Sequence, residues 1–157
     1  MNQEKEIYNV ITYGTLEELK PLLKDFDVNK PVKEGYAIHY AAFQNKTDII
    51  RYLIDKGANV NAEFEDGATP LIAAAEYGYF ETCSLLLEHN ADVNKVDHHG
   101  NDALVKAVLK GRLNIVELLL ENGADKENKL VKGKNALDLA KEMNWADALK
   151  LFDKKNK

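Results

Sequence analysis

Cysteine is nearly absent from this chain. Cys83 stands alone among 157 residues, so no intrachain disulfide can form, and a reducing, cytoplasmic setting is expected. No apolar run approaches the roughly 20 residues that a membrane span needs, so a membrane partner is not expected. The opening Met1-Asn2-Gln3-Glu4-Lys5-Glu6 is polar and leads into no apolar stretch of the secretory kind. Basic residues are the minority, 21 against 26 acids, for a net charge of -5. Phosphate backbones demand clustered Lys and Arg, so nucleic acid is not an expected partner. Metal-ligating Cys/His spacing, an HExxH helix, a Ser/His/Asp arrangement and a phosphate-cradling glycine loop are all missing, and neither metal nor cofactor is expected. With 45% hydrophobic and 30% charged residues, the chain has the balance of an ordinary folded protein.

What is present is a repeat. Sliding the chain by 33 residues lays Gly67-Ala68-Thr69-Pro70-Leu71-Ile72-Ala73-Ala74-Ala75 onto segments near Glu34, Gly100 and Gly133. The anchor aliphatics are Ile38, Leu71, Leu104 and Leu137, and a helix break follows each at Asn45, Gly78, Gly111 and Asn144. Apolar pairs come next, at Leu53-Ile54, Leu86-Leu87 and Leu119-Leu120. Each pair leads into a turn typified by Lys56-Gly57-Ala58-Asn59-Val60-Asn61.

Each unit reads as helix, turn, helix and looped finger. Thr69 is placed to cap a helix with Pro70 at its first position, where the missing N–H costs nothing. Leu71, Ala74 and Ala75 share a face on which small alanines admit a close neighbour, and Gly78 ends the helix with positive φ. Cys83 aligns with Ile50 and Val116 in a stripe expected to be buried and inert. Upstream, Ile7, Val10-Ile11, Gly14, Leu19 and Leu22-Leu23 match the second unit at an offset of 31. Thr15-Leu16-Glu17-Glu18 forms a capping box, while Pro21 is expected to kink the second helix or displace its first turn. One such unit cannot bury its own apolar faces, so it must stack.

The run Gly67-Ala68-Thr69-Pro70-Leu71 with Ala74-Ala75, Gly78 and the downstream Leu-Leu and Val-Asn elements resembles the ankyrin repeat, over nearly the whole chain. The resemblance implies an all-α solenoid of five helix-turn-helix units with β-hairpin or loop fingers, forming one domain over 1–157. Its units are an N-terminal cap at about 4–33, then 34–66, 67–99 and 100–132, and a lysine-rich cap at 133–157. Five units with polar caps read as a complete, monomeric molecule. The resemblance also assigns His39 to hydrogen bonding between fingers.

Function follows as an expectation. In ankyrin-like stacks, fingertips and the exposed face of the first helices line a concave groove that binds proteins. Carried over by position, the tips are Val32, Lys33 and Gly35, then Glu65, Asp66 and Ala68, then His98, His99 and Asn101, and finally Val131, Lys132 and Lys134. The helix face comprises Tyr13, Tyr40, Phe43, Gln44, Glu76, Tyr77, Lys106, Leu109, Lys110 and Met143. Aromatics that packing does not require are what a binding hot spot uses. Between Gly57 and Asn94 there are seven acids and no Lys or Arg, which suits a protein partner with a basic patch. The chain is therefore expected to be a non-catalytic scaffold or inhibitor. Small free-standing members of this look are often bacterial, and some are immunity proteins that neutralise a cognate toxin or enzyme. The remaining alternatives are an enzyme using surface carboxylates and a nucleic-acid binder using the lysine-rich last unit.

Overall fold

The computed structural model describes residues 3–128 and 133–154, and among them the chain forms ten helices. They fall into five antiparallel pairs. The inner helices are α1 (Gln3–Tyr13), α3 (Ala37–Phe43), α5 (Pro70–Tyr77), α7 (Ala103–Leu109) and α9 (Ala136–Glu142). The outer helices are α2 (Leu16–Leu22), α4 (Thr47–Asp55), α6 (Phe80–Glu88), α8 (Leu113–Glu121) and α10 (Ala146–Asp153). Each inner helix packs on the next, from α1 through α9, and α4, α6, α8 and α10 form an outer row behind them. Buried Ala41, Ala42, Ala74, Ala75, Ala107 and Ala140 line the inner helices, where the absence of bulk lets successive backbones approach. Behind them Ile49, Ile50, Leu53, Cys83, Leu86, Ile115, Val116 and Leu119 make a continuous core that Phe152 closes at the last unit. Helices this short are marginal alone, so packing between units supplies their stability.

Helix ends follow side-chain chemistry. Thr69 Oγ1 accepts from the Ile72 N–H at 3.3 Å with Pro70 at the first turn, and Asp102 caps α7 through the Val105 N–H at 2.8 Å. Burial pushes the Asp102 carboxyl above its usual range, against the opposing pull of that N–H. Thr15 and Glu18 form the expected capping box, and Asn135 with Asp138 forms another on α9. Gly78 sits at φ 86°, and Asn45 and Asn144, at the matching places, take φ 55° and 51°. Pro21 lies inside α2 and does not displace its first turn. The first turn of α2 is held by its capping box, and the helix instead stops at Leu22, two residues shorter than the nine-residue α4, α6 and α8. Proline has no N–H to offer the Glu17 carbonyl four residues back, so this short helix has one internal bond fewer.

The fingers are loops more than hairpins. Among the described residues no strand forms, and the only bridge pairs Pro31 with Tyr36. Asp66 and Asp97 organise tight turns by accepting from backbone N–H groups two residues on, at Ala68 and His99. The His98 N–H donates to the Asp66 carbonyl at 2.8 Å, tying adjacent fingers together.

A second tie repeats along the opposite ends of the loops. Asn29, Asn61 and Asn94 each reach into the following unit. Their amides donate to the carbonyls of Gly57, Asn90 and Gly123 at 2.9, 3.4 and 3.3 Å. Their carbonyl oxygens accept from the N–H groups of Asn59, Asp92 and Asp125 at 2.8, 2.7 and 2.8 Å. This ladder sets the spacing of units through hydrogen bonds, where the helices set it through apolar packing.

Candidate functional site

The last turns of the inner helices carry side chains that the core does not use. Tyr13, Phe43, Tyr77, Leu109 and Met143 are 83, 49, 44, 47 and 48% exposed. Each comes from a different unit, and each occupies one of the two residues before the helix break. Among the described residues the other large apolar side chains this exposed are Phe80, on α6 in the outer row, and Val96, before a fingertip. Five of the seven large exposed apolar side chains among the described residues thus come from the ends of the inner helices, one from each unit, a series we call the stripe. Gln44 and Lys110 are exposed beside it.

Aromatic contacts organise the first half of that stripe. Phe43 and Tyr77, from neighbouring units, have ring centroids 4.8 Å apart, and Tyr79 stacks on Tyr77 at 5.8 Å. Tyr40 is half-buried, in contrast to its expected role as an exposed anchor. It meets Tyr8 of the first unit edge to face at 4.8 Å and Phe64 of the next finger at 6.1 Å. Burial, followed by the nearby charge of Glu34, raises the Tyr40 hydroxyl above its ordinary pKa. Tyr8, Tyr40, Phe43 and Phe64, with Gln44, Asp66 and Ala73, enclose a cavity of about 400 Å³.

Tyr8 and Phe64 were not among the residues singled out from the sequence. Phe64 could have been noticed as an aromatic inside a polar finger, at the position where the next finger has Asp97. Tyr8 gave no such signal, because it aligns with buried His39. Gly35 makes room for Phe64, since a Cβ there would run into the ring.

His39 performs the linking role implied by the resemblance. Its Nε2 lies 2.9 Å from the Ala68 carbonyl of the next unit, so that nitrogen carries the proton. Burial holds the imidazole below its ordinary pKa against the opposing pull of Ala68. The Ala62 backbone adds a weaker pull, yet Nδ1 has no partner in hydrogen-bond geometry. Cys83 is fully buried, and desolvation pushes its thiol up to about 12, which leaves it a packing group.

The acidic middle is partly compensated across units. Glu76, expected on the binding face, pairs through its two oxygens with Lys106 at 3.2 Å and Lys110 at 3.3 Å. Glu63 pairs with Lys95 at 2.6 Å. The lysines missing from 57–94 therefore arrive from the segment just beyond it. Lys106 also lies 3.6 Å from buried Asp97, which accepts from the Asn101 backbone and amide, so Asn101 is engaged within its own finger. Glu65, Asp66, His98 and His99 are exposed at the tips, and Lys33 places its ammonium 4.5 Å from the Tyr8 ring centroid. Lys134 pairs with Glu142 at 2.6 Å. Val131 and Lys132 lie outside the described residues. Among the described residues no group of three or more His, Cys, Asp or Glu is placed to hold a metal ion, and no helix is long and apolar enough to cross a membrane.

A family model described as ankyrin repeats in three copies matches residues 7–97 and 63–130. The chain is 38% identical over 85 residues to the palmitoyltransferase Hip14 of Drosophila melanogaster, covering 52% of this chain and 13% of that protein. It is 41% identical over 61 residues to protein phosphatase 1 regulatory subunit 12A of Mus musculus, covering 39% and 6%. With human ankyrin repeat and SOCS box protein 3 the identity is 44% over 46 residues, covering 29% and 9%. The chain thus spans 13% or less of the length of each of these relatives. Together with the 33-residue period and the stacked helix pairs, these matches show that the chain belongs to the ankyrin-repeat family.

Proposed function

We propose that residues 1–157 act as one non-catalytic, monomeric binding body that holds a protein partner on the face of the inner helices and fingers, the groove expected of its family. The observation that carries this is the series Tyr13, Phe43, Tyr77, Leu109 and Met143, one exposed apolar residue from each unit at one of the two positions before its helix break. Scattered exposed apolar groups are ordinary, whereas a contiguous patch marks an interaction surface. The naming of one relative as a regulatory subunit of a protein phosphatase supports a binding role. The exposed fingertip acids Glu65 and Asp66 favour a partner with a basic patch over nucleic acid. The action on that partner is scaffolding or inhibition, including neutralisation of a cognate toxin or enzyme. A lone buried cysteine suits the cytoplasm.

The test is a partner captured on the wild-type chain and retitrated against two variants. Replacing Tyr77, Leu109 and Met143 by Ala removes three apolar contacts worth about 1 kcal/mol each, so affinity should fall at least a hundredfold, roughly 2.8 kcal/mol, with melting preserved. Phe80→Ala, on the outer row, should leave affinity unchanged. Full affinity in the triple variant, or loss in the Phe80 variant, would place binding elsewhere.

A further inference from the structure

The cavity walled by the first three units differs from the open stripe. Tyr8, Tyr40 and Phe64 stand at 84° and 90° to one another in sequence, so they bound the hollow from different sides instead of forming one flat slab. Phe43 contributes a fourth ring. Ala73 also lines the hollow, at the place where the flanking inner helices carry Tyr40 and Lys106, and its small side chain leaves room there. The volume, about 400 Å³, lies within the range of sites that hold small ligands or single side chains.

Its chemistry selects a charge. No lysine or arginine lines it, and its one carboxylate is Asp66 at the exposed rim. Asp66 Oδ1 accepts from its own turn at Ala68. Glu34 and Glu65 lie close enough for their charges to be felt at the Tyr40 hydroxyl. Both are exposed. His39 also lines the hollow, and burial keeps it neutral, so it sets no opposing charge there. The chain already places one cation over Tyr8: Lys33 reaches that ring from an adjoining hollow lined by Glu4, Lys5 and Pro31. Aromatic rings attract ammonium and guanidinium groups through their negative faces, most strongly where water is partly excluded.

We infer that the hollow bounded by Tyr8, Tyr40, Phe43 and Phe64, with Asp66 at its rim, is a receptor for one cationic side chain, an alkylammonium or guanidinium, presented by the protein partner. This rests on the protein-binding reading and names the chemistry of one contact within it. An aliphatic side chain could fill the same space but would leave the acidic rim unanswered.

The test needs no partner. The full chain is titrated, with ionic strength held constant by NaCl, against tetramethylammonium, ethylguanidinium and the neutral 2,2-dimethylpropanol, following ring-proton resonances by NMR. The expected result is saturable shifts of the four rings with half-saturation in the millimolar range for both cations. The neutral alcohol should bind at least fivefold more weakly. Asp66→Asn should weaken the cations about threefold and leave the alcohol unchanged. Phe64→Leu, which keeps apolar bulk but removes the ring, should weaken them about fivefold, with thermal melting confirming the fold of both variants. Equal binding of the neutral alcohol, cation binding that survives both substitutions, or no saturable shift with any probe would overturn the assignment. None of Tyr77, Leu109 and Met143 lines the hollow, so failure here and failure of the partner titration are separate results.

Discussion

Replacing Asn61 by Ala tests whether the asparagine ladder holds units together or merely decorates them. The substitution removes a 2.7 Å bond from the Asp92 N–H and a longer 3.4 Å bond to the Asn90 carbonyl, at a half-buried position. A good hydrogen bond nets about 1 kcal/mol and a stretched one about half that, so the loss should be roughly 1–1.5 kcal/mol. With a urea dependence of about 2 kcal/mol per molar, the unfolding midpoint should fall by roughly 0.5–0.7 M. Asn29→Ala and Asn94→Ala remove equivalent pairs of bonds. Each clamps a different junction, so the triple variant should lose about 3–4 kcal/mol, near the sum. Glu127 occupies the matching place in the fourth unit and is exposed. Its replacement by Ala should change stability by less than about 0.5 kcal/mol. Urea unfolding followed by circular dichroism reads all of these. The reasoning fails if Asn61→Ala behaves like Glu127→Ala, or if the triple variant is no worse than one single.

Three further outcomes follow from the same structure. His39 is held below its ordinary pKa by burial. Its contribution should be complete well above the unfolded pKa of about 6.5, where both states are neutral, and should decline as pH falls through that value toward the folded-state one because the unfolded imidazole takes up the proton first. The wild type should therefore lose more stability than His39→Asn between pH 7 and pH 5, and parallel urea-midpoint curves would refute this. Gly35→Ala drives a methyl group into the Phe64 ring and should cost about 1–2 kcal/mol in thermal unfolding while weakening cation uptake by the aromatic hollow. Cys83, with its thiol pushed up to about 12 and fully buried, should resist a disulfide-forming chromogenic reagent at pH 8 in the native state and react at once in urea; rapid native labelling would show that α6 opens.

The ankyrin architecture was legible in the residues because its determinants are local and periodic. Thr69-Pro70 and Thr15 with Glu18 start helices, Gly78 and Asn45 stop them, and alanines recur where backbones must meet. The same periodicity brings Tyr13, Phe43, Tyr77, Leu109 and Met143 to one of the two places before each helix break, where the side chain is left exposed, since places 33 apart are equivalent in a stack. The end of α2 at Leu22, one residue past Pro21, was not set by the sequence reading, while its capped first turn was.

Interactions between units were not legible, because they depend on distances across the stack. Nothing in the order of residues announces that Glu76 is answered by Lys106 and Lys110, or that a stretch without lysines is compensated from outside it. Nor does it show that Tyr40 turns inward to wall a cavity with Tyr8 and Phe64. The sequence by itself determined the repeating unit and where most of its helices start and stop, because short-range propensity and period dictate these. Only the tertiary structure decided which rings and charges meet across a junction, because that depends on how closely one unit settles against the next.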